Sequence, residues 1–233
     1  MKELFLKEER DQVGNCQSEG HKGLELYRTF DGLDVIFDLN YQLDRDMEIT
    51  QVKERLYEKA GVGVQSGYST ILLALAYLEE KYGLAGKKIV DLGSGYGRVG
   101  LVSALYCEEM DFIGYEYVGH RVDVSNRAVR NLKLQESLSF ITQDLSLTSF
   151  KIPKADVFYL YDPFTEETYQ SVLKQIVEMS HNQRVIVVTK GNAREWLVRV
   201  SQEQNWSPPV FIDEGNLCIF DSKLLKVIRT SSS

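Results

Sequence analysis

The chain has 233 residues, 43% of them hydrophobic, enough for one domain with a substantial core preceded by an N-terminal extension. A net charge of −7 argues against broad, non-specific attraction to nucleic acid. Cys16, Cys107 and Cys218 are odd in number and far apart, the pattern of reduced thiols in a cytoplasmic protein. With His21, His120 and His181 they show no ligand spacing, so no metal is expected. The N-terminus runs straight into charged residues and reads as no signal peptide. The apolar run Ile71 to Leu78 is too short to span a membrane and reads as a buried helix.

In chain order, residues 1–67 read as an extension or cap, partly helical. Lys22 to Phe37 suits a strand pair or irregular cover, Gln51 to Ala60 a polar helix, and the glycine-rich stretch Gly61 to Gly67 a loop. Ser69 or Thr70 then caps a helix reaching Lys81. Strands and helices alternate from there: strand 87–92, helix 98–109, strand 111–117, helix 120–134, strand 138–143, strand 155–161, helix 165–179, strand 184–189 and helix 192–203. Such alternation implies right-handed crossovers and a parallel sheet covered by helices on both faces. Val210 to Asp213, the turn Glu214-Gly215 and Asn216 to Asp221 read instead as a hairpin, which makes the last strand antiparallel.

Four strand ends carry the chemistry. In Lys88-Ile89-Val90-Asp91-Leu92-Gly93-Ser94-Gly95-Tyr96-Gly97-Arg98, a buried strand meets three alternate glycines and a helix start, a turn that lets a ligand lie against the backbone. The dinucleotide pattern G-x-G-x-x-G fails at Arg98, where its third glycine would fall. Asp91 would also set a carboxylate beside a pyrophosphate, so a cationic ligand suits the turn better. Phe112 to Tyr117 is a strand closing on Glu116, placed to accept both hydroxyls of a ribose. Phe140 to Leu145 closes on Asp144, which equally suits a turn aspartate. Ala155 to Phe164 ends in Tyr161-Asp162-Pro163-Phe164, a rigid corner that could present an acceptor, or a plain strand-end turn with Thr165 capping the next helix.

Taken together these residues resemble the class I S-adenosylmethionine-dependent methyltransferases, over roughly residues 68 to 222. The resemblance implies an α/β fold: a Rossmann-like, mostly parallel seven-strand sheet with helices on both faces and a C-terminal antiparallel hairpin, in a methyltransferase domain at 68–233. It implies S-adenosyl-L-methionine as cofactor and S-adenosyl-L-homocysteine as product. Cofactor contacts fall to Asp91, Gly93, Ser94, Gly95, Tyr96 and Gly97 in the turn, to Glu116 at the ribose, and to Asp144 and Leu145 at the adenine. Asp162-Pro163-Phe164 is similar to a shortened (Asp/Asn)-Pro-Pro-(Tyr/Phe) motif of amino-group methyltransferases. That assigns catalysis to Tyr161, Asp162, Pro163 and Phe164, with Asp162 also beside the cofactor. The loop through Tyr68 and Ser69 resembles, more loosely, one that non-SET protein-lysine methyltransferases hold over the cofactor. The implied partner is an amine-bearing acceptor such as a protein lysine. A small metabolite or an RNA base as acceptor, or a non-catalytic cofactor-binding module, are the alternatives at this stage.

Overall fold

The computed structural model describes residues 37, 39, 66–161, 164–191, 193–215 and 217–222. The expectations for Lys22 to Ile36 and for Gln51 to Gln65 lie outside the described residues, as do Asp162 and Pro163. Among the described residues the order is α1 (Tyr68–Tyr82), β1 (Lys88–Leu92), α2 (Arg98–Tyr106), β2 (Asp111–Glu116), α3 (Gly119–Asn131), β3 (Leu138–Thr142) and β4 (Val157–Tyr161). Then come α4 (Glu166–Ser180), β5 (Ile186–Lys190), α5 (Ala193–Glu203), β6 (Val210–Ile212), a 3-10 turn at Asp213–Gly215, and β7 (Leu217–Asp221).

The strands form one sheet in the order β3-β2-β1-β4-β5-β7-β6. The first five are parallel; β7 runs antiparallel to both β5 and β6, as the terminal hairpin predicts. Strand order reverses between β1 and β4, and a crevice opens at such a switch point beyond the carboxyl ends of the strands.

Alternation along each strand divides the core. Ile89, Tyr159, Val188 and Phe112 pack under α1, α2 and α3 with Ile71, Leu75, Leu101 and Val122. Val90, Leu92, Phe158, Leu160 and Val187 face α4 and α5 with Val172, Ile176 and Leu197. Strands covered on both faces are apolar throughout, which is why β1, β4 and β5 read as continuous runs. Asp91 is the one carboxylate set inside such a run. Its register partners are Gly114 and Tyr159.

Strands β4 and β5 begin two residues later than expected, and three helix ends differ by two residues or more. Helix α1 starts at Tyr68 with Gly67 as its N-cap and no side-chain cap. Thr70, one turn in, instead donates its hydroxyl to Asp213 Oδ2 at 2.8 Å and ties α1 to the hairpin. Helix α2 stops at Tyr106, because the chain must turn back into β2. Helix α3 ends at Asn131 as Lys133 takes a left-handed conformation (φ 58°), with Leu134 N–H reaching back to Val129 O at 3.0 Å.

Candidate functional site

The turn after β1 is built as its glycines suggest. Gly93, Gly95 and Gly97 all have positive φ (98°, 55° and 82°). The N–H groups of Gly93 and Ser94 both donate to Tyr115 O at 2.9 Å, pinning the turn to the end of β2. Gly97 has a second reason to lack a Cβ, because one built there would lie 2.5 Å from Phe140 Cζ. It serves the fit of α2 onto the sheet as much as any ligand.

Glu116 is buried and aimed at this turn. Its Oε2 accepts from Gly95 N–H and its Oε1 from Val118 N–H, each at 2.9 Å. A carboxylate offers about four lone-pair positions, so each oxygen keeps one for a further donor. Two remaining acceptors match the two hydroxyls of a ribose.

A cleft of about 400 Å³ opens beside it, lined by Gly93, Tyr115, Glu116, Tyr117, Gln143, Asp144, Leu145, Ser146, Phe164 and Thr168. It brings together five of the residues singled out from the sequence, which come from four separate segments: Gly93, Glu116, Asp144, Leu145 and Phe164. Sequence reasoning passed over Tyr115, Tyr117, Gln143, Ser146 and Thr168. Tyr115, Tyr117 and Gln143 carried a signal, as neighbours of Glu116 or Asp144; Tyr117 is 40% exposed at the cleft wall. Asp144 Oδ1 accepts from Ser146 N–H at 2.9 Å and Ser146 Oγ at 2.6 Å, so the side chain also braces its own turn. Phe164 is buried, its ring edge-on to Tyr169 at 5.0 Å, and Tyr169 in turn packs on Trp196 at 4.8 Å.

The remaining expected residues stand around the cleft rather than in its lining. Asp91 is 2% exposed, and burial pushes its carboxyl well above the usual carboxylate range, with the charge of Glu116 adding to the effect. Tyr68 is fully enclosed between Phe37 (6.0 Å between ring centroids) and the Arg98 guanidinium (4.7 Å). Arg98 also donates to Ser66 O at 3.1 Å. Ser69 follows Tyr68 in the first turn of α1 and is half-buried. Tyr96 is buried within the turn, with Arg121 5.7 Å above its ring. Tyr161 closes β4, and Lys190 Nζ from the paired end of β5 stands 4.9 Å over its ring.

These residues fit a nucleoside with a small polar extension. The positive-φ glycines leave backbone open at the turn, Glu116 keeps two acceptors, and Ser94 Oγ is buried with no hydrogen-bond partner among the described residues. Among the described residues no three His, Cys, Asp or Glu side chains converge as metal ligands, and no helix is long and apolar enough to cross a membrane. Cys107 and Cys218 are free thiols, and burial pushes that of Cys218 up to about 11.

No protein-family model matches the chain, and no curated protein matches it by sequence. Solved structures do. A protein from Pyrococcus horikoshii described as a candidate RNA methyltransferase is 18% identical, with a TM-score of 0.52 over 80% of this chain and 98% of that one. TrmN from Thermus thermophilus is 17% identical, with a TM-score of 0.51 over 66% of this chain and 49% of that one. A Thermoplasma acidophilum protein is 16% identical, with a TM-score of 0.50 over 78% and 98%. The chain spans about half the length of several structures it matches, TrmN among them. The fold is that of the class I S-adenosylmethionine-dependent methyltransferases.

Proposed function

We propose that this chain is an S-adenosylmethionine-dependent methyltransferase that methylates an amine nitrogen, such as that of a protein lysine. One observation carries the cofactor reading. At the switch point of the sheet, a glycine turn with three positive φ angles shares a hydrogen bond with a buried carboxylate that keeps two acceptors for a ribose. In this reading Glu116 accepts the ribose hydroxyls, Asp144 and Leu145 face the adenine, and the turn from Gly93 to Gly97 with Ser94 Oγ holds the amino-acid end. A cation drawn toward the turn suits Asp91, because such a ligand would bring a counter-charge to its buried carboxyl.

The bound cofactor would supply a methyl group on a positive sulfur, already a good leaving group. What remains for the chain is alignment. Asp162 and the carbonyl preceding the Pro163 ring would accept hydrogen bonds from an amine and fix its lone pair. Tyr161 and Phe164 would exclude water around it, favouring the neutral amine over ammonium. Lys190, a cation beside Tyr161, acts in the same direction by disfavouring a second positive charge there.

Calorimetry of the full-length chain with S-adenosylmethionine and, separately, NAD tests the cofactor. Binding of NAD alone would overturn the reading. Transfer of a radiolabelled methyl group into a lysate, split into protein, RNA and small-molecule fractions, tests the acceptor. Label confined to RNA would refute the protein-lysine assignment while leaving the methyltransferase intact.

A further inference from the structure

We infer that Arg121 is a positioning residue that holds Glu116 and the glycine turn in the geometry needed to receive a ribose; this rests on the cofactor reading above. Arg121 sits in the first turn of α3 with only 8% of its side chain exposed. Its guanidinium touches both halves of the cradle: Nη1 lies 3.8 Å from Glu116 Oε1, and the central carbon lies 5.7 Å from the Tyr96 ring inside the turn.

The distance to Glu116 bears on its role. At 3.8 Å the contact is too long for a hydrogen bond, so the guanidinium acts as a counter-charge and leaves the carboxylate's remaining lone pairs open. Such a charge is needed there. Glu116 is as buried as Arg121, with 8% of its side chain exposed, and the fully buried Asp91 lies close enough to feel its field. An isolated buried carboxylate beside a second acid is strongly disfavoured. Two backbone N–H donors and one cation together hold Glu116 in place and aim it, and the same cation lies against the Tyr96 ring. Arginine suits both contacts, since its planar group stacks on an aromatic while presenting charge at its edge.

The test uses full-length protein and S-adenosylhomocysteine, with melting followed for each variant. Arg121→Gln should weaken binding by about tenfold or more, on the scale of a lost charge-assisted interaction, and Arg121→Lys should recover most of it. The decisive readout is coupling. In a Glu116→Gln background, Arg121→Gln should have no further effect, and an analogue lacking both ribose hydroxyls should bind Arg121→Gln and wild type alike. Undiminished binding by Arg121→Gln would overturn the inference. So would an equal loss with and without the Glu116 charge, or for the analogue without hydroxyls, since either means that Arg121 only supports the fold. Should Arg121→Gln fail to fold, the Lys variant carries the same comparison, with a smaller loss that Glu116→Gln must abolish. A wild-type chain that binds no S-adenosylhomocysteine would instead refute the cofactor reading itself.

Discussion

Phe140 fills a space that three glycines leave open, and the contacts are specific enough to predict how two of them respond to a methyl group. A Cβ at Gly97 would lie 2.5, 2.9 and 3.0 Å from Phe140 Cζ, Cε1 and Cε2, the far tip of the ring. A Cβ at Gly114 would lie 2.4 Å from Phe140 Cδ1, near the base of the ring, and 2.8 Å from Ser94 Cβ. Carbon atoms are comfortable at about 3.5–4.0 Å, so both alanines overpack the core, at about 1–3 kcal/mol each. Gly97 carries an additional cost, because its φ of 82° is left-handed and strains any residue with a Cβ by about 1–2 kcal/mol. Gly97→Ala should therefore cost about 2–5 kcal/mol and Gly114→Ala about 1–3. Phe140→Leu separates the two. Leucine removes the ring tip but retains a δ-carbon, so it relieves Gly97→Ala down to its φ strain while leaving much of the Gly114→Ala clash. Urea unfolding of the single and double variants measures the coupling. If Gly97→Ala costs the same in the wild-type and Phe140→Leu backgrounds, the packing account of that glycine is wrong.

Gly95→Val, at φ 55° in the same turn, should abolish S-adenosylmethionine binding while circular dichroism still reports a folded chain; unchanged affinity would remove the turn from the site. Glu116→Ala should cost roughly 2–3 kcal/mol of binding for both S-adenosylmethionine and S-adenosylhomocysteine, which share the ribose; loss for one ligand only contradicts its role. Asp162→Ala should lower turnover far more than cofactor affinity, with Asp162→Asn partly active; normal turnover at normal melting would sink the amine-orienting role. Asp91 has a folded pKa raised by burial, so the stability of its protonated form is fully present below the unfolded pKa and is lost as pH rises through the folded one. Asp91→Asn, neutral throughout, should gain melting temperature over wild type as pH rises, the difference vanishing below about pH 4; a pH-independent difference would mean that Asp91 does not titrate above the usual range.

Most of the fold was legible because the central strands β1, β4 and β5 are buried on both faces and appear as apolar runs. What escaped was set by a local backbone conformation without its usual residue, or by contacts distant in sequence. The end of α3 turns on Lys133 adopting φ 58°, a conformation usually signalled by glycine or asparagine, and nothing in its side chain announces it. The start of α1 was misplaced because Thr70 suits a cap locally, whereas Asp213 claims its hydroxyl from 143 residues away. In the site, the acid-closed strands gave Glu116, Asp144 and the turn. Gln143 and Thr168 became cleft residues only because the fold sets the segment after β3 and the first turn of α4 on the same cleft. The tyrosines were the least legible. An enclosed Tyr68 under Arg98 and a buried Tyr96 under Arg121 look in sequence like any tyrosine at the edge of a ligand.

The same local pattern, a strand closing on or near an acid, produces three different carboxyl groups here, and the difference is in what surrounds them. Asp91 points from β1 into the layer beneath α1, where no cation among the described residues offsets desolvation, and its proton is held more tightly. Glu116, one strand over, is equally buried, but two backbone N–H groups and the Arg121 guanidinium converge on it. Asp144 stands past the end of the edge strand, half-buried, with Ser146 satisfying one oxygen. Ordered by environment, they are a desolvated acid, a fixed hydrogen-bond acceptor and a polar edge. In the function proposed above, these three would meet a positive sulfur and ammonium, a ribose and an adenine along one molecule. The adjacency of β1, β2 and β3 in the sheet lays them out in that sequence. A dinucleotide would instead set a pyrophosphate beside the turn that overlies Asp91, and a buried acid is the wrong neighbour for it.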